Sequence, residues 1–164
     1  MNDKQSLARG AFVVDLRAEC AAYQKLLSLL EAEQTCLLNG DAESLQVISR
    51  GKSDSVLDLL RLGERRGHYL RARSLSADRA GMQEWLCKEG GADRDELHEA
   101  WGELMETAQR ASELNDVNGT LITSRLAHNK QALESLRDIL TPARTYGPNG
   151  HTESASLASH LGTA

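Results

Sequence analysis

Apolar residues recur at helical spacing along three long stretches and one short one. From about Ser6 to Leu38 the apolar positions Leu16, Cys20, Tyr23, Leu27, Leu30 and Leu37 stand three, four or seven residues apart. That is one side of an amphipathic helix, not the two-residue alternation of a strand. Asn39-Gly40-Asp41 interrupts the pattern. Gly40 can take a positive φ cheaply and predicts a helix stop, and Asp41 predicts a cap for the next helix. The second helix runs from about Ala42 to Arg73, with Leu45, Ile48, Val56, Leu59, Leu62 and Tyr69 on its apolar side. Lys52 and Arg66 interrupt that side. Gly51, Gly63 and Gly67 would each cost about 1 kcal/mol relative to Ala in an exposed helix interior, which argues against one rigid rod. Two helices of similar length joined by so short a link predict an antiparallel hairpin.

Residues 76–90 predict a short helix with Met82, Trp85 and Leu86 inward and Gly90-Gly91 as its stop. Trp85 and Trp101 are expected to anchor it in the core. Asp93 or Asp95 can open the last helix, and Asp95, Glu96, Glu99 and Glu103 suit its electropositive start. Its seam reads Leu97, Trp101, Leu104, Ala108, Ala111, Asn115, Asn118, Ile122, Leu126, Asn129, Leu133, Leu136 and Leu140, in steps of three and four. So long a repeat favours coiled-coil-like packing on the hairpin. Thr141-Pro142 closes it, Tyr146-Gly147-Pro148-Asn149-Gly150 marks a turn, and the rest carries only Leu157 and Leu161 as sizeable apolar residues. The expected fold is all-α: an elongated antiparallel hairpin packed with a short helix and a long C-terminal helix, followed by a flexible tail. Residues 1–142 form the helical domain and 143–164 the turn and tail. The tail would be unfolded alone and helical on a partner, or a frayed terminus without a role.

Composition narrows the function. The net charge is −5. Residues 41–75 carry seven basic and five acidic side chains, residues 93–142 five and ten. Neither has the basic footprint that nucleic acid requires. Arg65, Arg66, Arg71 and Arg73 form one local basic group, read as a solvated face or a contact for an acidic partner. Three cysteines, Cys20, Cys36 and Cys87, make no paired framework and predict free thiols in a reducing compartment. The N-terminal residues lack a secretory h-region, and no stretch approaches the roughly 20 apolar residues that cross a bilayer. A cytoplasmic protein with no membrane insertion is expected.

Candidate chemistry is sparse. His98-Glu99 begins like a zinc-protease motif, but Gly102 stands where the second histidine belongs. Phosphate-loop, dinucleotide and nucleophile-elbow patterns are absent from the sequence. Neither catalysis nor a cofactor or metal is expected. The informative oddity is the three asparagines on the apolar seam, since a buried amide without partners costs on the order of 1–3 kcal/mol. Three readings stand open. Asn115, Asn118 and Asn129 set register, as a seam Asn does in coiled coils. Or they line a groove that receives a partner. Or the helix is rotated so that they face solvent and Leu114, Leu121 and Arg125 are more central.

The same residues carry a resemblance. Asn115, Asn118-Gly119, Leu121-Ile122, Arg125-Leu126, Asn129 and Leu133, followed by Tyr146-Gly147 and Gly150, follow the pattern N-x-x-N-G-x-L-I, R-L, N, L-x-x-L and Y-G-x-x-G of the FlgN family of flagellar type III export chaperones. Leu26 to Leu38, with Asp41, Leu45 and Lys52, is similar to that family's leucine-rich first hairpin. The resemblance implies a chaperone that binds the C-terminal helices of the hook-filament junction proteins FlgK and FlgL, keeps them soluble and delivers them to the export apparatus. It implies cargo contacts at Asn115, Asn118, Ile122, Arg125, Leu126, Asn129, Leu133 and Tyr146. Some members also touch export-gate or ATPase-complex components. The alternative is a coiled-coil adaptor or secretion chaperone for a different helical client.

Overall fold

Gly40 sets the first reversal of the chain. In the computed structural model its φ is 77°, the left-handed conformation glycine adopts without a Cβ penalty. The structure describes residues 2–89 and 94–140, with side chains described over 6–88 and 94–140. The Gly90-Gly91 stop, Asp93, Pro142, Tyr146 and the tail with Leu157 and Leu161 lie outside the described residues. Helix α1 is Asn2–Asn39 and α2 is Ala42–Arg71. As expected, Asp41 caps α2: its Oδ1 accepts from the Ser44 amide at 3.1 Å. The short helix α3 is Arg79–Glu89, and α4 is Arg94–Leu140, continuous through Gly119. The described residues are all-α in the expected order.

The chain divides into two units, Met1–Leu121 and Ile122–Ala164. Within the first, the hairpin is antiparallel, because residues early in α1 pair with residues late in α2, and residues late in α1 with residues early in α2. Asp15 pairs with Arg65, Glu19 with Arg66 and Glu33 with Lys52. Lys52 and Arg66, which interrupt the apolar side of α2, are therefore the partners of carboxylates on α1. Gly67 also finds a use: a Cβ there would sit 3.3 Å from Ala77 Cβ, so its absence lets the α2–α3 link approach, whereas at Gly51 a Cβ would make an ordinary contact with a Leu29 methyl at 3.4 Å. Val56 departs from expectation: it is exposed, and Ser55, Gly67 and Leu70 are the buried positions of α2.

Away from the Gly40 turn, all four helices meet in one core. Phe12 and Leu16 come from α1, Leu70 from α2, Met82, Trp85 and Leu86 from α3, and Leu97, Trp101 and Leu104 from α4. Phe12 stacks on Tyr69 at 3.8 Å and meets Trp85 edge-on at 4.7 Å. Such ring pairs add about 0.5–1.5 kcal/mol beyond area burial. The α2–α3 link is built by two local devices. Leu75 N–H donates to Leu70 carbonyl oxygen and Ser74 N–H to that of Arg71, a Schellman closure with Ser74 at φ 60°. Asp78 then caps α3, accepting from the Gly81 amide at 3.0 Å. Gly81 has no room for a side chain, since a Cβ would fall 1.8 Å from the Ser76 carbonyl oxygen.

Candidate functional site

The packed line along α4 runs Leu97, Trp101, Leu104 and Ala111, half-buried Leu114, buried Asn118 and half-buried Leu121. Asn115 is exposed. The three seam asparagines thus do three different things. At Asn115 the helix is rotated so that Leu114 takes the inward position. Asn118 is 1% exposed, and its Nδ2 donates to the Leu30 carbonyl oxygen at 2.9 Å and to Glu33 Oε2 at 2.8 Å. Its amide is committed within the fold. Asn129 lies in the second unit and is exposed.

Asn118 completes one of two buried polar nodes on the hairpin. In the first, the Glu33 carboxylate accepts from Lys52 Nζ at 2.8 Å at both oxygens, and from Asn118. In the second, Arg66 donates to Glu19 through Nε at 2.9 Å and Nη2 at 3.2 Å, with its guanidinium 5.2 Å from the Trp101 ring centroid. Glu19 and Glu33 are 14 residues apart, as are Lys52 and Arg66. Periodicity in apolar residues alone missed both acids. They were findable, because a hairpin turning at Gly40 pairs residues whose numbers sum to about 80–85, and the basic residues on the apolar side of α2 demand partners there.

From Ile122 to Leu140 every side chain is exposed. Ile122, Leu126, Leu133, Leu136 and Leu140 share one face with Asn129, all within about 40° of a single line at 3.6 residues per turn. Their exposures run from 38% at Ile122 to 73% at Leu140. A two-turn patch of this kind would be unremarkable on a surface. Five aliphatic side chains in register over five turns form an exposed apolar face with Asn129 at its middle. Arg125 borders it, and Lys130 and Arg137 border its other side. Of the residues named by resemblance, the structure brings Ile122, Leu126, Asn129 and Leu133 onto this face and places Arg125 on its edge. Asn115 and Asn118 belong to the first unit, and Tyr146 lies outside the described residues.

Other features of the first unit resolve into structure. Of the four clustered arginines, Arg65 pairs with Asp15 at 2.7 Å, Arg66 with Glu19, and Arg73 lies 3.6 Å over the Tyr69 ring. Arg71 borders a groove between α1 and α2 lined by Tyr23, Leu26, Leu59 and Gly63. The Cys20 thiol donates to the Ala100 carbonyl oxygen at 3.3 Å. Burial pushes its pKa up, and the Glu19 and Glu103 carboxylates push the same way. That is the reverse of what a nucleophilic thiol needs. Burial likewise raises Tyr23, with Glu19 adding and Arg66 opposing. Among the described residues no group of His, Cys, Asp and Glu is placed to hold a metal ion, and no helix is long and apolar enough to cross a membrane.

Comparison with known proteins agrees with the all-α fold. The model of the FlgN protein family matches residues 11–154. Among solved structures, the chain is similar to the flagella synthesis protein FlgN of Pseudomonas aeruginosa, at 29% identity and a TM-score of 0.61. The match covers 67% of this chain and 85% of that one. Curated proteins give no match.

Proposed function

Since the chain belongs to the FlgN family of flagellar export chaperones, we propose that the exposed face from Ile122 to Leu140 binds the C-terminal helices of the hook-filament junction proteins FlgK and FlgL. FlgN chaperones are not enzymes, and this one works by covering surface. Subunits that pair helices in a finished filament expose apolar stripes beforehand, and such stripes aggregate. A client helix laid along Ile122, Leu126, Leu133, Leu136 and Leu140 buries its own stripe and this one together. On this reading the protein acts in the cytoplasm, hands its client to the type III export apparatus, and meets export-gate or ATPase-complex components there.

The observation that carries the reading is the set of five exposed aliphatic residues in helical register, of which Leu126, Leu133 and Leu140 are 65% to 73% exposed. Asn129 in the middle of that run keeps the interface partly polar, which suits a client that must be released. The test is amide hydrogen exchange on the full chain, with and without C-terminal segments of FlgK and FlgL. Exchange over residues 122–140 should slow on binding while the first unit stays unchanged. Binding that protects the α1–α2 groove and leaves 122–140 unprotected would move the site elsewhere. Failure of both segments to bind, with a different helical segment protecting this face, would make the protein a chaperone for another client.

A further inference from the structure

A second apolar surface lies within the first unit. Between α1 and α2 runs a groove of about 570 Å³, with Leu26 on one wall and Val56, Leu60 and Gly63 on the other. Val56 and Leu60 are both exposed, so that wall faces open space. From Val56 to Gly67 it extends three turns, about 16 Å at the usual rise. Its positions, Val56, Leu60, Gly63 and Gly67, step by four, three and four, the ridge against which a neighbouring helix packs.

Gly63 is the informative residue on this wall. Glycine weakens a helix interior, and its usual return is a close approach that a side chain would block. Gly67 has that return within the fold, from Ala77. Gly63 does not. A Cβ there would come no closer than 3.9 Å to Arg66 Nη2 and Glu19 Oε1, an ordinary contact. The fold would lose nothing by a side chain at this position, and without one a hole stands open beside Leu60. The rim adds charge. Glu64 and Arg71 stand two turns apart along it, and neither forms an ion pair among the described residues. The Arg71 guanidinium folds back over the groove, its Nη1 3.3 Å from where a Cβ on Gly67 would lie. Arg66 and Glu19, also in the groove, are committed to each other.

We propose that the α1–α2 groove is a second docking site, for an amphipathic helix of another protein that sets a bulky aliphatic side chain into the hole at Gly63 and a carboxylate against Arg71, with a basic residue two turns away against Glu64. A groove open along three turns suits a helix, which anchors through residues one turn apart. The rim charges say which kind. A nucleic acid or an anionic lipid surface presents charges of one sign, whereas a protein helix carries both at a fixed spacing. The apolar contacts hold this occupant, and the two charges select it and set its direction. Because the groove belongs to the first unit, its occupant is not the client assigned to residues 122–140, and the inference stands apart from that reading.

Two stapled helical peptides of about four turns test this on the full chain. Both carry Leu along one stripe; one has Lys and Glu seven residues apart on its border, the other Ala at both places. Each should slow amide exchange over residues 56–67. The Lys/Glu peptide should bind about fivefold more tightly, the yield of two exposed ion pairs, and lose that advantage in the variant Glu64→Ala with Arg71→Ala. Gly63→Leu should weaken both peptides at least about tenfold by filling the hole. Its thermal midpoint should hold or rise, since leucine is the better helix former, and Gly63→Ala should do the same. Peptides that leave residues 56–67 unprotected, equal binding of the two, or an advantage kept in the double variant overturn the inference. A fall in the thermal midpoint of Gly63→Ala also overturns it, by showing that the fold itself needs the glycine. A changed oligomeric state of Gly63→Leu in sedimentation would make a second copy the occupant, and weaker binding of FlgK and FlgL segments to that variant would make the groove the client site; either result overturns it. If those segments protect residues 122–140 while the peptides leave the groove unprotected, the client reading survives and this inference does not. The reverse result keeps this one and removes the other.

Discussion

Truncating Leu126 and Leu133 to alanine separates binding from folding. The two side chains are 65% and 67% exposed. Each Leu→Ala change removes three carbons, worth about 0.8 kcal/mol per carbon on full burial, or about 2.4 kcal/mol. About two thirds of that remains to be gained on docking, so each residue should contribute about 1.6 kcal/mol to a client complex and the pair about 3 kcal/mol. At 1.4 kcal/mol per factor of ten, the double variant should bind FlgK and FlgL segments about a hundredfold more weakly. The assay is a titration followed by fluorescence anisotropy or calorimetry. Thermal unfolding of the same variant should move little, within about 0.5 kcal/mol, since no packing is lost and alanine is a good helix former. Affinity unchanged within threefold in a folded variant would refute the reasoning. A large fall in stability would refute it differently, by showing that these leucines already pack within the protein.

The seam asparagines should behave oppositely in stability assays. Asn118→Ala should cost about 2 kcal/mol by chemical denaturation, because a charge-assisted hydrogen bond is lost and Oδ1, which meets no partner among the described residues, returns only part of it. Asn129→Leu should leave stability unchanged. Lys52→Met should cost about 3 kcal/mol by stranding the buried Glu33 carboxylate, and Glu33→Leu added to it should recover part of that loss. At the α2–α3 link, Gly81→Ala should destabilise by at least about 2 kcal/mol through collision with the Ser76 carbonyl, whereas Ser74→Gly should stabilise by up to about 1 kcal/mol by relieving a positive φ. Acid should loosen the helix starts. Hydrogen bonds from Ser44 hold Asp41 below its ordinary 3.8, and those from Ser76 and the Gly81 amide do the same for Asp78. Capping stability from a lowered carboxylate pKa is complete above 3.8 and disappears as pH falls through the lower folded-state value, so amide exchange at Ser44 and Gly81 should quicken there.

The helices were legible because leucine at steps of three and four has few other uses, and because Gly40-Asp41 is a stop and a cap in two adjacent residues. Trp85, Met82 and Leu86 announced the core contacts of α3 for the same reason: large apolar residues on a short helix need a neighbour. Glu19 and Glu33 were hidden because a carboxylate beside an apolar stripe reads as surface until the pairing of α1 with α2 is known. Lys52 and Arg66 were seen as interruptions when they were half of a pair. The asparagines show the limit most plainly. Asn115, Asn118 and Asn129 share one line in sequence, yet a modest rotation of α4 exposes the first and buries the second, and sequence spacing resolves no such rotation. The face from Ile122 onward was visible as a pattern, but its exposure was not, since a heptad pattern reads the same whether or not anything packs on it.

Because Leu126, Leu133 and Leu140 are 65% to 73% exposed, natural selection for packing bears little on them. A change at Leu126 or Leu133 need not be matched by a compensating change in the core, as one at Leu104 or Asn118 must be. If residues 122–140 are the docking face proposed above, that surface is free to drift in step with the protein it binds, while the four-helix core ages at its own, slower pace.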